Sequence, residues 1–383
     1  MAGPVSVAEL TEDPHPLLHR LRTEHPVAWV DSLDAWLITS HHLSVEVMLD
    51  PDTFTVDDPR FSTQRVIGPS MLSLDGLDHR RHRDPFAGPF RAARIRDLRD
   101  RIRDRADELI SKVVSVGDGD LRAGVAAPLA VDVMADILDL ENVAVGDVLD
   151  WYREIVDAVH AVTAGEEVPS SGISAFRQLS EAVRASLSSS SLLTSVDRAG
   201  DLSAEEIVSN VAVLLFGGIV TSESSTAVAY RYLLENPEHH NLLRQDRALV
   251  GPFVEETFRL EPTAAAVDRY ATRDVTLAGS DISVGDLVRV SISGANRDPA
   301  VFSDPDTLRL HRDHSGKSLT FARGPHACLG IHLARLETVS AVEALLDHPL
   351  PAVSGALAPV TGLVFRVPDT LRVVWRETGD APN

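Results

Sequence analysis

The stretch from Phe321 to Gly330 reads FARGPHACLG and holds the only cysteine of the chain, Cys328, two positions after His326 and bracketed by Gly324 and Gly330. A single cysteine cannot close an intrachain disulfide, so the thiol is a buried structural group, a nucleophile or a metal ligand. The residues that follow, GIHLARLETVSAVEALL, carry apolar side chains at helical spacing, which puts Cys328 at or just before a helix N-terminus. Unpaired N–H groups and the positive end of the helix dipole favour a thiolate at such a place. Gly324, Pro325 and Gly330 suit a tight loop that brings backbone close to a ligand, and a structural thiol needs none of this.

A nucleophilic cysteine wants a base within hydrogen-bond reach, and His326 is the candidate. A zinc site takes about four ligands, and the scattered histidines offer no such spacing. A thiolate serving as the sole protein ligand of haem iron needs one cysteine, a donor-rich loop and a flat apolar site. A second stretch with chemical potential is LLFGGIVTSESS, where Gly217 and Gly218 interrupt an otherwise apolar helix just before the hydroxyls of Thr221 and Ser222. Two adjacent glycines disfavour a helix by about 1 kcal/mol each against alanine, so a close approach to something is the better reason for them. A third is EETFR, in which Glu256 and Arg259 face one another at i,i+3.

The elements that position these residues are mainly helical. From Leu74 to Pro349 the apolar spacing is that of helices, with short strands predicted in VAWVDS and AWLITS near the start, from Ala271 to Ile292, and in the closing GLVFRVPDTLRVVW. Leu33 and Asp34 mark the turn between the first two strands. The polar run Thr163–Gly172 reads as a loop and a candidate lid. No repeat or Gly/Ser linker divides the 383 residues, which read as a single domain, 1–383. Hydrophobic residues make up 44 %, enough for a large core, and one cysteine in this length points to a reducing compartment. The N-terminus lacks the pattern of a signal peptide, and the longest strongly apolar run, Val211 to Val220, is about half a membrane span. A net charge of −21 opposes general binding to nucleic acid or anionic lipid. Ten arginines nevertheless fall between Arg80 and Arg105. The later half of that stretch reads as a solvated helix with pairs such as Asp97/Arg101, and with Asp100 and Asp104 against Arg96 and Arg103; the earlier half reads as a local basic face.

These motifs together resemble the cytochrome P-450 family. FARGPHACLGIHLARLE is similar to its haem-binding loop, F-G-x-G-x-H-x-C-x-G followed by a helix, with Phe321, Gly324, His326, Cys328 and Gly330 matching. Ala322 stands where the family usually has Gly; if that position needs a positive φ, alanine costs on the order of 1 kcal/mol there. EETFR holds the family's E-x-x-R, and DRYATRDVTLAG, ANRDPAVFSDPDTLRLHR and the cysteine loop follow in family order, so Glu256, Arg259 and Arg312 are expected to tie the fold beneath the haem. LDGLDHRRHR resembles the helix that offers His79 and Arg83 to a haem propionate, with Arg269 and His326 as further partners, while Ser318 stands where many members carry His. Gly217, Gly218, Thr221 and Ser222 follow the family's G-G-x-(D/E)-T-(T/S), but Val220 occupies the acid's place. Glu223 lies roughly 200° around the helix from Thr221 and is no simple replacement.

The resemblance implies a mainly α fold with a small β portion, the cytochrome P-450 fold, with haem b between the long distal helix and the helix of the cysteine loop. It implies Cys328 as the metal ligand, Gly218, Thr221 and Ser222 as catalytic positions, and His79, Arg83, Arg269, Phe321, His326 and Gly330 as haem contacts. By position, the substrate is met by Val66, Ile67, Val213, Phe216, Gly217, Ala265, Val267, Val364 and Phe365, mostly apolar side chains that suit a hydrocarbon body. The expected function is a cytoplasmic haem-thiolate monooxygenase of secondary metabolism, hydroxylating or epoxidising a hydrophobic small molecule. O₂ is the oxidant, and electrons come from NAD(P)H through a ferredoxin and ferredoxin reductase; neither nucleic acid nor a membrane is a partner. Desaturation, coupling, rearrangement or peroxide-driven oxidation is the alternative, and a non-catalytic haem sensor a more distant one.

Overall fold

In the computed structural model, which describes residues 5–139, 144–187, 191–313 and 316–375, the first two apolar stretches pair as an antiparallel hairpin. Strands β1 (Val27–Val30) and β2 (Ala35–Ile38) are joined by a short 3-10 turn at Asp31–Leu33. Asp34 ends that turn in the left-handed region at φ 47°, which aspartate tolerates better than most residues. Trp29 stands opposite Trp36 in the register, and their rings meet edge to face at 5.5 Å, so the pair fixes the hairpin's alignment. Strands β3 (Phe54–Thr55), β4 (Ala266–Ala271) and β5 (Leu287–Ser291) complete a five-stranded sheet in the order β1-β2-β5-β4-β3. β5 runs parallel to β2 and antiparallel to β4.

The chain divides into two compact units, one built from Met1–Phe54, Asp97–Leu129 and Thr221–Asn383, the other from Thr55–Arg96 and Ala130–Val220. The first unit contains the sheet, whose inner residues Val27, Ile38, Val288 and Val290 share a core with Leu43, Val47, Met48, Ile292 and Leu319. It also contains the helix Arg99–Val116, which packs on the helix Ile331–Leu346 that follows the cysteine. There Arg103 pairs with Asp107 at 2.7 Å and with Asp347, a partner 244 residues away, in place of the expected Asp100 and Asp104. The second unit is helical. Val145–Thr163 and Ser170–Ser186 pack together, with the Trp151 indole donating to Gln178 at 3.3 Å. The expected lid segment is shorter than the composition suggested, because the second of these helices starts at Ser170.

One helix of 32 residues, Ala204–Glu235, passes from one unit into the other and is unbroken through Gly217 and Gly218. By length and composition it could cross a membrane, but 83 % of its most apolar window is buried, the state of a core helix. The protein is therefore mainly helical with a small β portion, as its sequence leads one to expect.

Candidate functional site

The cysteine lies in a loop closed by its own backbone. The Cys328 N–H donates to the Phe321 carbonyl at 2.9 Å and the Ala327 N–H to Gly324 at 3.1 Å, while Gly330 begins the helix Ile331–Leu346. The thiol is exposed. Gly324 has φ +73°, and a Cβ there would meet the Met48 carbonyl oxygen at 2.5 Å, so only glycine fits. Ala322 does have positive φ, 54°, which turns the anticipated strain into an observed one. Phe321 is held from two sides, by the Phe258 ring at 5.6 Å edge to face and by the Arg335 guanidinium 5.3 Å above it. Ser318 donates no cationic contact; its hydroxyl is used within the loop, 2.8 Å from that of Thr320.

Beneath this loop the expected ion network is present. Glu256 accepts from Arg259 at 2.7 and 2.9 Å, from Arg312 Nε at 3.0 Å and from the Arg309 N–H at 2.8 Å. Both Glu256 and Arg259 are fully buried. Burial pushes the Glu256 carboxyl up, but the hydrogen bonds and charge of Arg259 outweigh it and hold it below its ordinary range. Arg269 lies on β4, 4 % exposed, with Nη1 donating to the Asp268 carbonyl, and His326 sits half-buried in the loop. The nearby apolar candidates also converge: the Ala265 N–H donates to the Val364 carbonyl at 2.8 Å and Ala264 bridges to Phe365. Val267 packs on the sheet core.

In the other unit His79 and Arg83 share the helix Gly76–Arg83, His79 buried and Arg83 half-buried. Arg81 anchors that helix to Glu206 at 2.7 Å, and Asn210 donates to His82 Nδ1 at 2.9 Å. The Arg81 hydrogen bond, with help from the Ser203 N–H, draws the Glu206 carboxyl down to about 2 against partial burial. Burial, and then the Arg81 charge, hold the His82 imidazole below its ordinary value, so the ring is neutral at pH 7. The Val66/Ile67 segment docks on the same helix face through the Ser209 hydroxyl, 2.7 Å from the Ile67 carbonyl, one turn before Val213. Val213 and Phe216 are buried and Gly217 is exposed. Gly218 is a packing glycine: a Cβ there would lie 2.4 Å from Met134 Sδ.

Val220 is buried, Thr221 half-buried and Ser222 buried. Glu223 is taken up by Arg122 at 2.7 Å. Sequence reasoning passed over a carboxylate on the cysteine helix. Glu337 is fully buried, and neither of its oxygens makes a hydrogen bond of standard geometry. Burial pushes it up to about 8, opposed by the Ser222 hydroxyl, the polar side chain that acts on it. The available signal was its register: Leu333, Glu337 and Ala341 fall on one face at i,i+4, and the outer two are buried apolar residues.

The donor set fits haem. Among the described residues no group of three or more His, Cys, Asp or Glu side chains could hold a metal ion. A metal at Cys328 therefore needs its other donors from a macrocycle, and the exposed sulfur at the mouth of a closed loop allows one.

A cytochrome P450 family model matches residues 175–348. The chain is 33 % identical to nocardicin C N-oxygenase of Nocardia uniformis subsp. tsuyamanensis, over 95 % of this chain and 96 % of that one. It is 30 % identical to cytochrome P450 monooxygenase PikC of Streptomyces venezuelae, over 97 % and 94 % respectively. Among solved structures, that of CalO2 matches with a TM-score of 0.87 at 27 % identity, covering 98 % of this chain and 99 % of the other.

Proposed function

The chain belongs to the cytochrome P450 family and is a haem-dependent monooxygenase, and on that premise we propose that Cys328 would hold the haem iron through its thiolate and that Thr221 and Ser222 are its proton-handling hydroxyls. The haem supplies the redox chemistry by which one atom of O₂ enters an unreactive bond. What the protein contributes is position. The closed loop and the helix dipole present the Cys328 sulfur as a thiolate, supported from below by the Glu256–Arg259–Arg312 network. Arg269, His326, His79 and Arg83 are the side chains that would hold the carboxylates of the cofactor.

The substrate is a hydrophobic small molecule of secondary metabolism, met by the apolar side chains at Val66, Ile67, Val213, Phe216, Val267, Val364 and Phe365. Two observations support this: the residue types, and the full-length similarity to an N-oxygenase of nocardicin C. Electrons come from a ferredoxin and its reductase in the cytoplasm. Arg91, Arg94 and Arg96 are exposed together on a strongly acidic protein, a local positive field suited to steering an acidic carrier.

The single observation that carries the reading is the exposed, solitary thiol in a loop closed onto the Phe321 carbonyl. In the reduced protein with carbon monoxide, a thiolate-ligated haem gives a strongly red-shifted Soret band. Cys328→Ser is expected to abolish it, since no second cysteine can substitute. A variant that keeps the band overturns the ligand assignment.

A further inference from the structure

The segment that carries Val66 and Ile67 meets the long helix at two points. Ser209 Oγ donates to the Ile67 carbonyl at 2.7 Å, and the Met71 N–H donates to Asn210 Oδ1 at 2.9 Å. The second contact depends on what lies behind it. Asn210 is at 0 % exposure, and two backbone groups fix which way its amide points. The Met71 N–H can only donate, and the Glu206 carbonyl, 2.7 Å from Nδ2, can only accept. Nδ2 therefore gives its other hydrogen to His82 Nδ1 at 2.9 Å, which assigns Nδ1 as the bare ring nitrogen and puts the proton on Nε2. That proton points at Glu206 Oε1, 3.2 Å away, which also accepts from Arg81 Nη2 at 2.7 Å, while Glu206 Oε2 accepts from the Ser203 N–H at 2.8 Å. Each member donates to the next, and none can be reversed alone.

We propose that neutral His82, acting through Asn210, is a positioning residue that latches the Val66–Met71 segment to the long helix, so that acid releases this wall of the substrate pocket. The proposal rests on the reading of Val66 and Ile67 as substrate contacts given above. Protonating Nδ1 sets an N–H against the Asn210 NH₂. Turning the amide over to accept from the ring sets that NH₂ against the Met71 N–H instead. His82 is 1 % exposed and Met71 4 %, so a donor stranded at either place is buried, and the segment has to leave the helix to satisfy it. Among the described residues, the charged groups acting on the ring are Arg81 from its own helix and Glu206 from the long helix. They pair with each other at 2.7 Å, and Asp78 meets Arg81 at 3.2 Å. Burial, and then the Arg81 charge, hold the imidazole below its ordinary 6.5. The latch is therefore complete at pH 7 and is lost as pH falls below that value.

Amide hydrogen exchange tests the latch without turnover. Protection of the Met71 amide, taken relative to its intrinsic rate at each pH, is expected to fall by about fivefold or more between about pH 7.5 and about pH 5 in the wild type. His82→Gln offers an acceptor and a donor in place of the two ring nitrogens but does not titrate, so its protection should stay high across the range. His82→Leu offers neither and should be weakly protected throughout; His82→Gln carries the test by itself if the leucine variant fails to fold. The same pH dependence in His82→Gln as in the wild type, or full protection in a folded His82→Leu, overturns the latch. Carbon monoxide, an uncharged probe, tests the link to the pocket: its rebinding after flash photolysis of the reduced protein should speed up in acid in the wild type and stay level in His82→Gln. A level wild-type rate, with Met71 protection falling as described, overturns the claim that this segment walls the pocket. Absence of the thiolate Soret band from the same wild-type sample would instead overturn the monooxygenase reading.

Discussion

Glu256 and Glu337 are both at 0 % exposure, on helices that pack against each other, yet they are buried in opposite ways. Around Glu256 every lone pair has a donor: two from Arg259, one from Arg312 and one from the Arg309 backbone. The remaining Arg259 donors go to the carbonyls of Asn296, Pro305 and Thr307. Around Glu337 there is an imperfectly aligned hydroxyl and apolar packing. Burial alone penalises a carboxylate, and it does so at both sites. The number of donors decides the outcome. The first carboxyl is held ionised as part of a rigid frame, and burial favours the neutral form of the second.

The largest effect should come from removing a partner in the satisfied region. Arg259→Met keeps much of the volume but leaves Glu256 buried beside fewer donors and takes a donor from the carbonyls of Asn296, Pro305 and Thr307, the last of which keeps Arg312. Breaking a buried pair in this way is worth about 3–5 kcal/mol, a large part of the stability of an ordinary domain. The variant should unfold at a much lower denaturant midpoint and retain little haem with the thiolate Soret band. Glu337→Gln, with similar volume and no ion pair to break, should shift the same midpoint by less than about 1 kcal/mol near pH 5. If the two substitutions proved equally damaging, the distinction between the two buried carboxyls would fail.

A pH series sharpens the comparison with an intermediate effect. Glu337 has its folded value raised from 4.5 to about 8. Its contribution is complete below the unfolded value and is lost as pH rises towards about 8, because the folded state keeps a proton that the unfolded state releases. Glu256 is lowered, so its contribution is present above the unfolded value and is lost as acid is added. Thermal melts should therefore show Glu337→Gln gaining on wild type between about pH 5 and pH 8, on the order of 1 kcal/mol per pH unit across that window. At acid pH the two proteins should converge and then fall together as the Glu256 network is protonated. A constant difference across the series would place Glu337 in its ionised form and overturn the contrast with Glu256.

How far could this have been read from the sequence? The hairpin was visible because Trp29 and Trp36, the turn at Asp34 and the alternation of apolar residues agree at every local level. The cysteine loop was visible because Gly324, Pro325, His326 and Gly330 have local reasons to be where they are. Glu256 and Arg259 were legible as a pair, since i,i+3 is fixed by helix geometry. Long-range choices were not. Arg103 reaches Asp347 and Arg122 reaches Glu223, across 244 and 101 residues, and no spacing rule encodes either. Glu337 escaped notice for a different reason: glutamate in a helix ordinarily marks the solvent face, and only its register between Leu333 and Ala341 says otherwise.

The smallest effect concerns Ala322, in the satisfied region, and it asks whether the loop's shape is imposed by its surroundings or by its own residues. At φ 54° an alanine is disfavoured by about 1–2 kcal/mol relative to a residue at ease there. Glycine would remove that strain. Two terms oppose the gain. Glycine loosens the unfolded chain by about 0.4–1 kcal/mol. The Ala322 methyl packs against the core cluster of Leu319 and its neighbours, and losing it is worth about 0.8 kcal/mol. The sums nearly cancel, so Ala322→Gly should leave the unfolding midpoint within about 0.5 kcal/mol of wild type and the Soret band unchanged. Near-neutrality would mean that the Ala322 N–H to Leu319 and the Cys328 N–H to Phe321, each closing the loop on itself, hold the left-handed turn whichever residue occupies it. A gain well above 1 kcal/mol would show instead that the methyl contributes little and that the frame beneath the thiol carries strain it does not need.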